Sequence, residues 1–276
     1  MNRFLVPVRR ARQITGAFTW MGFTETVNYP LSLILNNVIG PASLPIIYRF
    51  VSRLVDNGPD VANDYYTFVV IGVVTTAALA GGLTAFGGEV DSAIQQGRFE
   101  TYLVQPINWY TLPFALGAWP ILLRVVSAFA MGIIGLGLGA HIRVAALLPA
   151  LLVLFLGVAA SHAIGTLAAS VRLLSKKADP VVSLYAMAAA VFSGAMFPVT
   201  MLPPWIRPIA YLLPHTYVIA ACRRILMPDG ELLGGPTLAW SLGVLAASTV
   251  FLYAACLFAF GRSLEFGRRY GILGGY

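Results

Sequence analysis

The chain has 276 residues, 58% of them hydrophobic and only 11% charged, with a formal net charge of +7. Globular domains carry about a quarter charged residues, so a soluble domain is excluded. Several runs of about 20 apolar residues, without the alternation of barrel strands, define a polytopic helical membrane protein.

The positive charge is spread over loops and termini, which ties it to membrane topology rather than to nucleic acid. Cys222 and Cys256 are the only cysteines and lie in apolar or amphipathic runs, so no disulfide framework is expected. The start, MNRFLVPVRRARQ, has early positive charges but no apolar core of signal-peptide length, and is read as retained.

Residues Asn2 to Asn28 read as an interfacial helix: Phe4, Val8, Ala11, Phe18 and Met21 recur at helical spacing, with Arg9, Arg10 and Arg12 among them. The first span is expected from about Pro30 to Ser52. Asn36, Asn37, Gly40, Pro41 and Pro45 predict a kink or partial unwinding within it. A polar turn, Asp56 to Asp64, precedes a second span from Tyr65 to Gly88. Ala77, Gly81 and Ala85 in this span follow the small-residue spacing that lets helices approach closely.

The stretch from Glu89 to Pro113, EVDSAIQQGRFETYLVQPINWYTLP, is the longest polar interruption in the chain. Its helical core is expected over Asp91 to Leu103, with Gln105-Pro106 ending it. A third span follows, beginning between Leu112 and Ile121 and ending near Ala140. Arg124 is the one charge expected deep in a span. If the span starts near Ile121, Arg124 lies one turn in and snorkels to the interface. If it starts at Leu112, Arg124 sits near the midplane and faces the bundle interior or a cavity.

The turn His141-Ile142-Arg143 leads into a fourth span, Val144 to Val171, and Arg172 to Pro180 is a short basic loop. The fifth span is expected from Val181 to about Val199. Residues 200–236 form neither a span nor a polar loop. WIRPIAYLL and YVIAACRRILM are too short to cross roughly 30 Å of hydrocarbon, and Pro203, Pro204, Pro208 and Pro214 punctuate them. They read as short helices dipping into the outer interface. The last span is Thr237 to Gly261.

Six spans put both termini on one side, and the basic residues choose it. With both termini inside, Arg3, Arg9, Arg10, Arg12, Arg98, Arg172, Lys176, Lys177, Arg262, Arg268 and Arg269 are cytoplasmic. Arg49, Arg53, Arg143, Arg207, Arg223 and Arg224 are then external. The larger set favours cytoplasmic termini, which makes the Glu89 to Pro113 stretch cytoplasmic too.

The absences narrow the function. Every Asp and Glu falls outside the six proposed spans, whereas proton- or sodium-driven carriers rely on an intramembrane carboxylate. His162, inside a span, is read as a packing histidine bonded to neighbouring backbone. No His, Cys, Asp or Glu cluster has metal-ligand spacing, and no glycine-rich phosphate loop precedes Lys176 and Lys177. The chain is therefore not expected to be an enzyme or to bind a cofactor. If it moves a compound uphill, its energy comes from another chain.

Two segments carry a family resemblance. GRFETYLVQPINWYTLP, Gly97 to Pro113, is similar to the cytoplasmic segment between spans two and three of the permease subunits of ABC-2 type exporters. SGAMFPVTMLPPWIRPIAYLLPHTYVIAACRRILMPDG, Ser193 to Gly230, resembles that family's signature: a small-residue and Pro fifth span, a "lP.wl" turn, then "lP.ty…a.R.ll..g". One departure is Gln105, where many relatives carry a basic residue before the proline.

The resemblance implies an all-α fold of the type V exporter kind: one transmembrane domain over 1–276, with an interfacial helix at 1–28, a coupling segment at 89–108 and external short helices at 200–236. It implies two permeases, identical or sister chains, in the bacterial cytoplasmic (inner) membrane, with two cytoplasmic ABC ATPase subunits that hold the ATP and Mg. Glu89, Asp91, Arg98, Phe99, Glu100, Tyr102 and Leu103 would engage the ATPase, with Arg9, Arg10 and Arg12 as a second contact. Arg124, Tyr185, Phe192, Met196 and Phe197 are candidates for the substrate path. The cargo class expected is a hydrophobic or amphiphilic compound such as a drug, secondary metabolite or lipid. Export of lipid-linked polysaccharide is the variant within the class. An ATPase-independent carrier or enzyme, and a membrane scaffold without transport, are the readings outside it.

Overall fold

The computed structural model describes residues 2–54, 59–104, 108–175, 180–227 and 237–269, all irregular or helical. Gln105, Pro106, Lys176 and Lys177 lie outside the described residues, as do the side chains of Arg9, Glu100 and Leu103. Helix α1 spans Asn2–Val27, and a tight turn at Asn28 and Tyr29 leads into α2, Pro30–Ile34. The expected irregularity of the first span takes the form of a π-helical stretch, Leu35–Ile39, before α3, Gly40–Leu54. The Gly40 N–H reaches back to the Leu35 carbonyl, a five-residue step. One extra residue in the turn accommodates a backbone in which Pro41 and Pro45 donate no hydrogen bond. The span is thus continuous from Pro30 to Leu54 rather than unwound.

Helix α4, Pro59–Gln95, is the central post, and its apolar window is the most enclosed of any span. It packs against α6, Leu112–Gly137, and α7, Leu147–Ser175, while α7 packs in turn against α11, Leu238–Arg269. Gly82 and Gly165 make the α4–α7 approach so close that a Cβ on either would meet the other helix's backbone, the Val158 carbonyl for Gly82 and the Leu83 carbonyl for Gly165. Gly81 of the predicted small-residue stripe does the same for α6, where it receives the base of the Arg124 side chain.

The bundle has two ends. At the near end lie the α4 terminus, α1 and the edge-to-face pair Phe86–Phe260, whose centroids are 5.3 Å apart. At the far end the His141 N–H donates to Thr67 Oγ1 (3.0 Å) and the Arg143 N–H to the Leu226 carbonyl (2.9 Å).

Five helices among the described residues are long and apolar enough to cross a membrane. The fifth expected span, Val181 to about Val199, is not among these five long helices. Helix α8, Pro180–Phe192, has 13 residues, and at about 1.5 Å per residue it covers only about 20 Å of a roughly 30 Å core. The chain then turns at Gly194, whose φ of +84° suits glycine. It continues through a 3₁₀ turn, Val199–Met201, into α9, Arg207–Leu212, and α10, Pro214–Leu226.

Helix α10 does not lie in an interface as the sequence predicted. His215 to Ile219, Ala221, Cys222 and Arg223 are buried, and the helix packs on α4, α7 and α11. Its last turn meets Phe68 near the far end, while Val218 crowds Gly157 together with Leu79, about three turns further along α4. Helix α10 therefore starts in the middle of the bundle and returns to the far end, a re-entrant helix built into the core.

Candidate functional site

The polar stretch after α4 is two helices rather than one. The predicted continuous helix over Asp91 to Leu103 is broken at Gly97, where φ is +67°. The Arg98 N–H donates to the Ala93 carbonyl (2.8 Å) and the Gly97 N–H to the Ile94 carbonyl (3.0 Å), a Schellman stop with glycine in its left-handed position. A short helix, α5, Phe99–Val104, follows.

Several side chains strap this corner to the bundle. Phe99 is 2% exposed and packs among Phe86, Val90, Leu112, Leu116 and Phe260. Its side chain is thus packed into the chain's own core rather than presented at the surface. Asp91 pairs with Arg172 of α7, so its charge is likewise engaged internally. Tyr102 stands edge-to-face on Phe18 of α1 at 5.4 Å, and Arg98 reaches Glu25 of α1 at 3.5 Å. What the corner leaves outward is polar: Gln95, Gln96, Gly97, Thr101, Asn108 and Tyr110 are exposed. Sequence reasoning passed over these positions because they carry no charge.

Helix α1 docks on the same end. Trp119 of α6 fits over Gly22, donates from Nε1 to Thr26 Oγ1 at 2.8 Å, and meets Phe23 edge-to-face at 5.5 Å. Arg10 and Arg12 remain exposed on α1.

Between α1, the π-helical stretch, the end of α4 and α6 lies a cleft of about 770 Å³. Its lining is charged and amidic: Glu25, Glu89, Arg98 and Arg124, with Ser32, Asn36, Asn37 and Gln96. Arg124 is the thirteenth residue of α6, which begins at Leu112 as in the mid-span alternative, and it lines this cleft. An arginine at mid-helix facing lipid would cost about 2.5–3.5 kcal/mol on insertion scales; a polar cleft removes that cost. Glu89 sits in the cleft wall and feels the charges of both Glu25 and Arg98.

On the opposite flank the substrate-path candidates divide. The Tyr185 hydroxyl turns inward to His215 Nδ1 of α10 at 3.0 Å. Phe192 and Phe197 are half-buried and Met196 is exposed. The apolar outer face of α8 is instead made by Val181, Leu184, Met187 and Val191. They recur at helical spacing, a signal hidden in the sequence because every residue around them is apolar as well.

Arg223 is the residue the sequence placed wrongly. Counted as an external charge, it is 5% exposed. Its guanidinium donates to the carbonyls of Phe68 (3.1 Å), Gly194 (2.6 Å) and Ala195 (2.5 Å) and lies over the Phe68 ring at 3.4 Å. It belongs to the core and not to the topological tally, and it lies in the signature segment beside Arg224. His162 behaves as expected of a packing histidine: Nδ1 meets the Tyr253 hydroxyl and Nε2 the Pro113 carbonyl, each at 3.3 Å, joining α6, α7 and α11. Among the described residues no group of three or more His, Cys, Asp or Glu is placed to hold a metal ion.

Five long apolar helices, a docked amphipathic helix and a re-entrant helix clamped by a buried arginine define a multi-pass membrane component. The ABC-2 type transporter family matches residues 14–227, and the chain belongs to that family. It is an ABC transporter permease, a transport component rather than a catalyst, of a kind that generally works with an ABC ATPase. No curated protein matches the chain.

Proposed function

We propose that the chain is the permease subunit of an ATP-driven exporter of the type V kind, moving a hydrophobic or amphiphilic compound out across the bacterial cytoplasmic membrane. Two permeases, as a homodimer or with a sister chain, work with two ATPase subunits that hold ATP and Mg. The near end of the bundle is cytoplasmic and carries both termini, and 89–108 is the coupling segment.

The observation that carries this reading is the strapped corner at Gly97. A solvated loop has no reason to be pinned by a Schellman turn, a buried Phe99 and two contacts to α1. A lever has such a reason, because force applied to α5 then moves α1, α4 and α6 together. Exposed Thr101, Gln96 and Tyr110, with Arg98 and Tyr102 beside them, offer the contact face, and the roles of Glu100 and Leu103 in it are carried by the sequence alone. Arg9, Arg10 and Arg12 on α1 extend it.

Co-production of the full chain with its cognate ATPase tests the reading. A stable complex whose ATP hydrolysis exceeds that of the ATPase alone is the expected result. Flux or turnover by the chain without any ATPase would contradict it.

A further inference from the structure

We propose that the near-end cleft binds a zwitterionic amphiphile, its anionic group on Arg124 and its cationic group on Glu89. The use of such a site in transport rests on the permease reading; the binding itself does not.

The cleft of about 770 Å³ falls in the range of small-molecule sites, about 300–1,000 Å³. Two of its four charges are spoken for, since Arg98 pairs with Glu25 at 3.5 Å. Among the described residues, Glu89 and Arg124 form no ion pair. They are not at one depth. Arg124 is seated against Gly81, and Glu89 lies eight residues along α4 toward the near end, about 12 Å at helical rise. Measured along α4, Glu89 is therefore the closer of the two to the near end, and Arg124, itself exposed, lies further from it.

A headgroup that fills both must carry its anion toward the apolar tail and its cation toward water, the order found in a phosphoethanolamine or phosphocholine lipid. A purely anionic amphiphile would pair Arg124 and bring no cation to Glu89. A purely cationic one would leave Arg124 unmatched. Ser32 and Asn36, joined by a 3.0 Å hydrogen bond, and Asn37 bring neutral polar groups from the first span. Phe18, Leu33, Leu123 and Trp119 give a tail apolar wall. The π-helical stretch acquires a use here, since Asn36 and Asn37 both belong to it.

The test is calorimetric titration of the purified full chain in detergent with dihexanoylphosphatidylethanolamine. Dihexanoylphosphatidylglycerol, dodecyltrimethylammonium and chain-free glycerophosphoethanolamine serve as comparisons. Saturable binding of the zwitterionic lipid is expected, with both single-charge amphiphiles about tenfold weaker or more. Arg124→Gln and Glu89→Gln each lower its affinity about tenfold, and Glu89→Gln also turns preference toward the phosphatidylglycerol probe. That switch cannot come from misfolding. Binding of glycerophosphoethanolamine as tight as the lipid's supports the same headgroup site with a water-borne ligand. No saturable binding, indifference to both variants, or an unchanged preference in Glu89→Gln overturns the proposal. An ATPase complex that forms normally in that case leaves the permease reading intact, and the converse pair of results sinks only the latter.

Discussion

The Arg223 guanidinium donates to the Gly194 carbonyl at 2.6 Å, so a cation carried by the re-entrant helix closes the open C-terminus of α8. A helix of 13 residues ends inside the bundle with carbonyls that water cannot serve. A positive charge at that end satisfies both the hydrogen bonds and the helix dipole. The same side chain holds the Phe68 carbonyl of α4 at 3.1 Å, so one residue joins three segments of the transport domain.

Arg223→Met is expected to lower stability by about 3 kcal/mol or more, because buried acceptors left bare cost about 1–3 kcal/mol each. Arg223→Lys rescues little, since a compact ammonium cannot fork across carbonyls on separate segments. Thermal unfolding in detergent, followed by size-exclusion chromatography, reads both. A wild-type melting point for Arg223→Met would remove the clamp from the account.

Gly97→Ala tests the break between α4 and α5. A Cβ there meets nothing within 4 Å, so the cost is conformational alone, about 1–2 kcal/mol for a non-glycine residue at φ +67°. Gly97→Asn costs less, because asparagine tolerates the left-handed region. The expected order of melting points is wild type, then Asn, then Ala.

Two glycines separate close packing from mere flexibility. Gly165→Ala drives a Cβ into the Leu83 carbonyl and is expected to destabilise the α4–α7 contact by at least about 2 kcal/mol. Gly88→Ala adds a methyl in open space within α4 and is expected to stabilise by up to about 1 kcal/mol. Opposite shifts in melting temperature confirm the contrast; equal shifts refute it.

Charge reversal at the corner, Arg98→Glu with Glu100→Arg, is expected to weaken ATPase association while changing chain stability by less than about 1 kcal/mol. The Arg98–Glu25 pair is 36% and 60% exposed on its two sides, a setting in which ion pairs contribute little to folding. Pull-down yield and melting point, measured on the same preparations, separate docking from folding. Unchanged pull-down would deny the charges a docking role.

Hydropathy revealed the long spans to within a few residues, because an 18-residue apolar window needs no tertiary information. It also revealed that the first span is irregular, since Pro41 and Pro45 have local consequences. The re-entrant helix was not legible. His215, Cys222 and Arg223 look polar in sequence, and only the packing of α4, α7 and α11 around them shows that their partners are internal. The end of α8 was hidden for the same reason: Gly194 and Ala195 read as small span residues until Arg223 is seen to hold their carbonyls. At the corner, polarity located the segment but could not tell inward from outward. Phe99 and Asp91, the residues most suggestive of a docking surface, are turned to the bundle, while Gln96 and Thr101 face out.

The central claim is that the Gly97 corner is where an ATPase grips the chain. A photo-crosslinking residue placed at Thr101, exposed on α5, and another at Trp240, exposed at the opposite end of α11, test it directly in cells producing the cognate ATPase. Crosslinking to the ATPase from Thr101, and none from Trp240, is the predicted result. Crosslinks from Trp240 alone, or from neither position in a complex that still co-purifies, would contradict it.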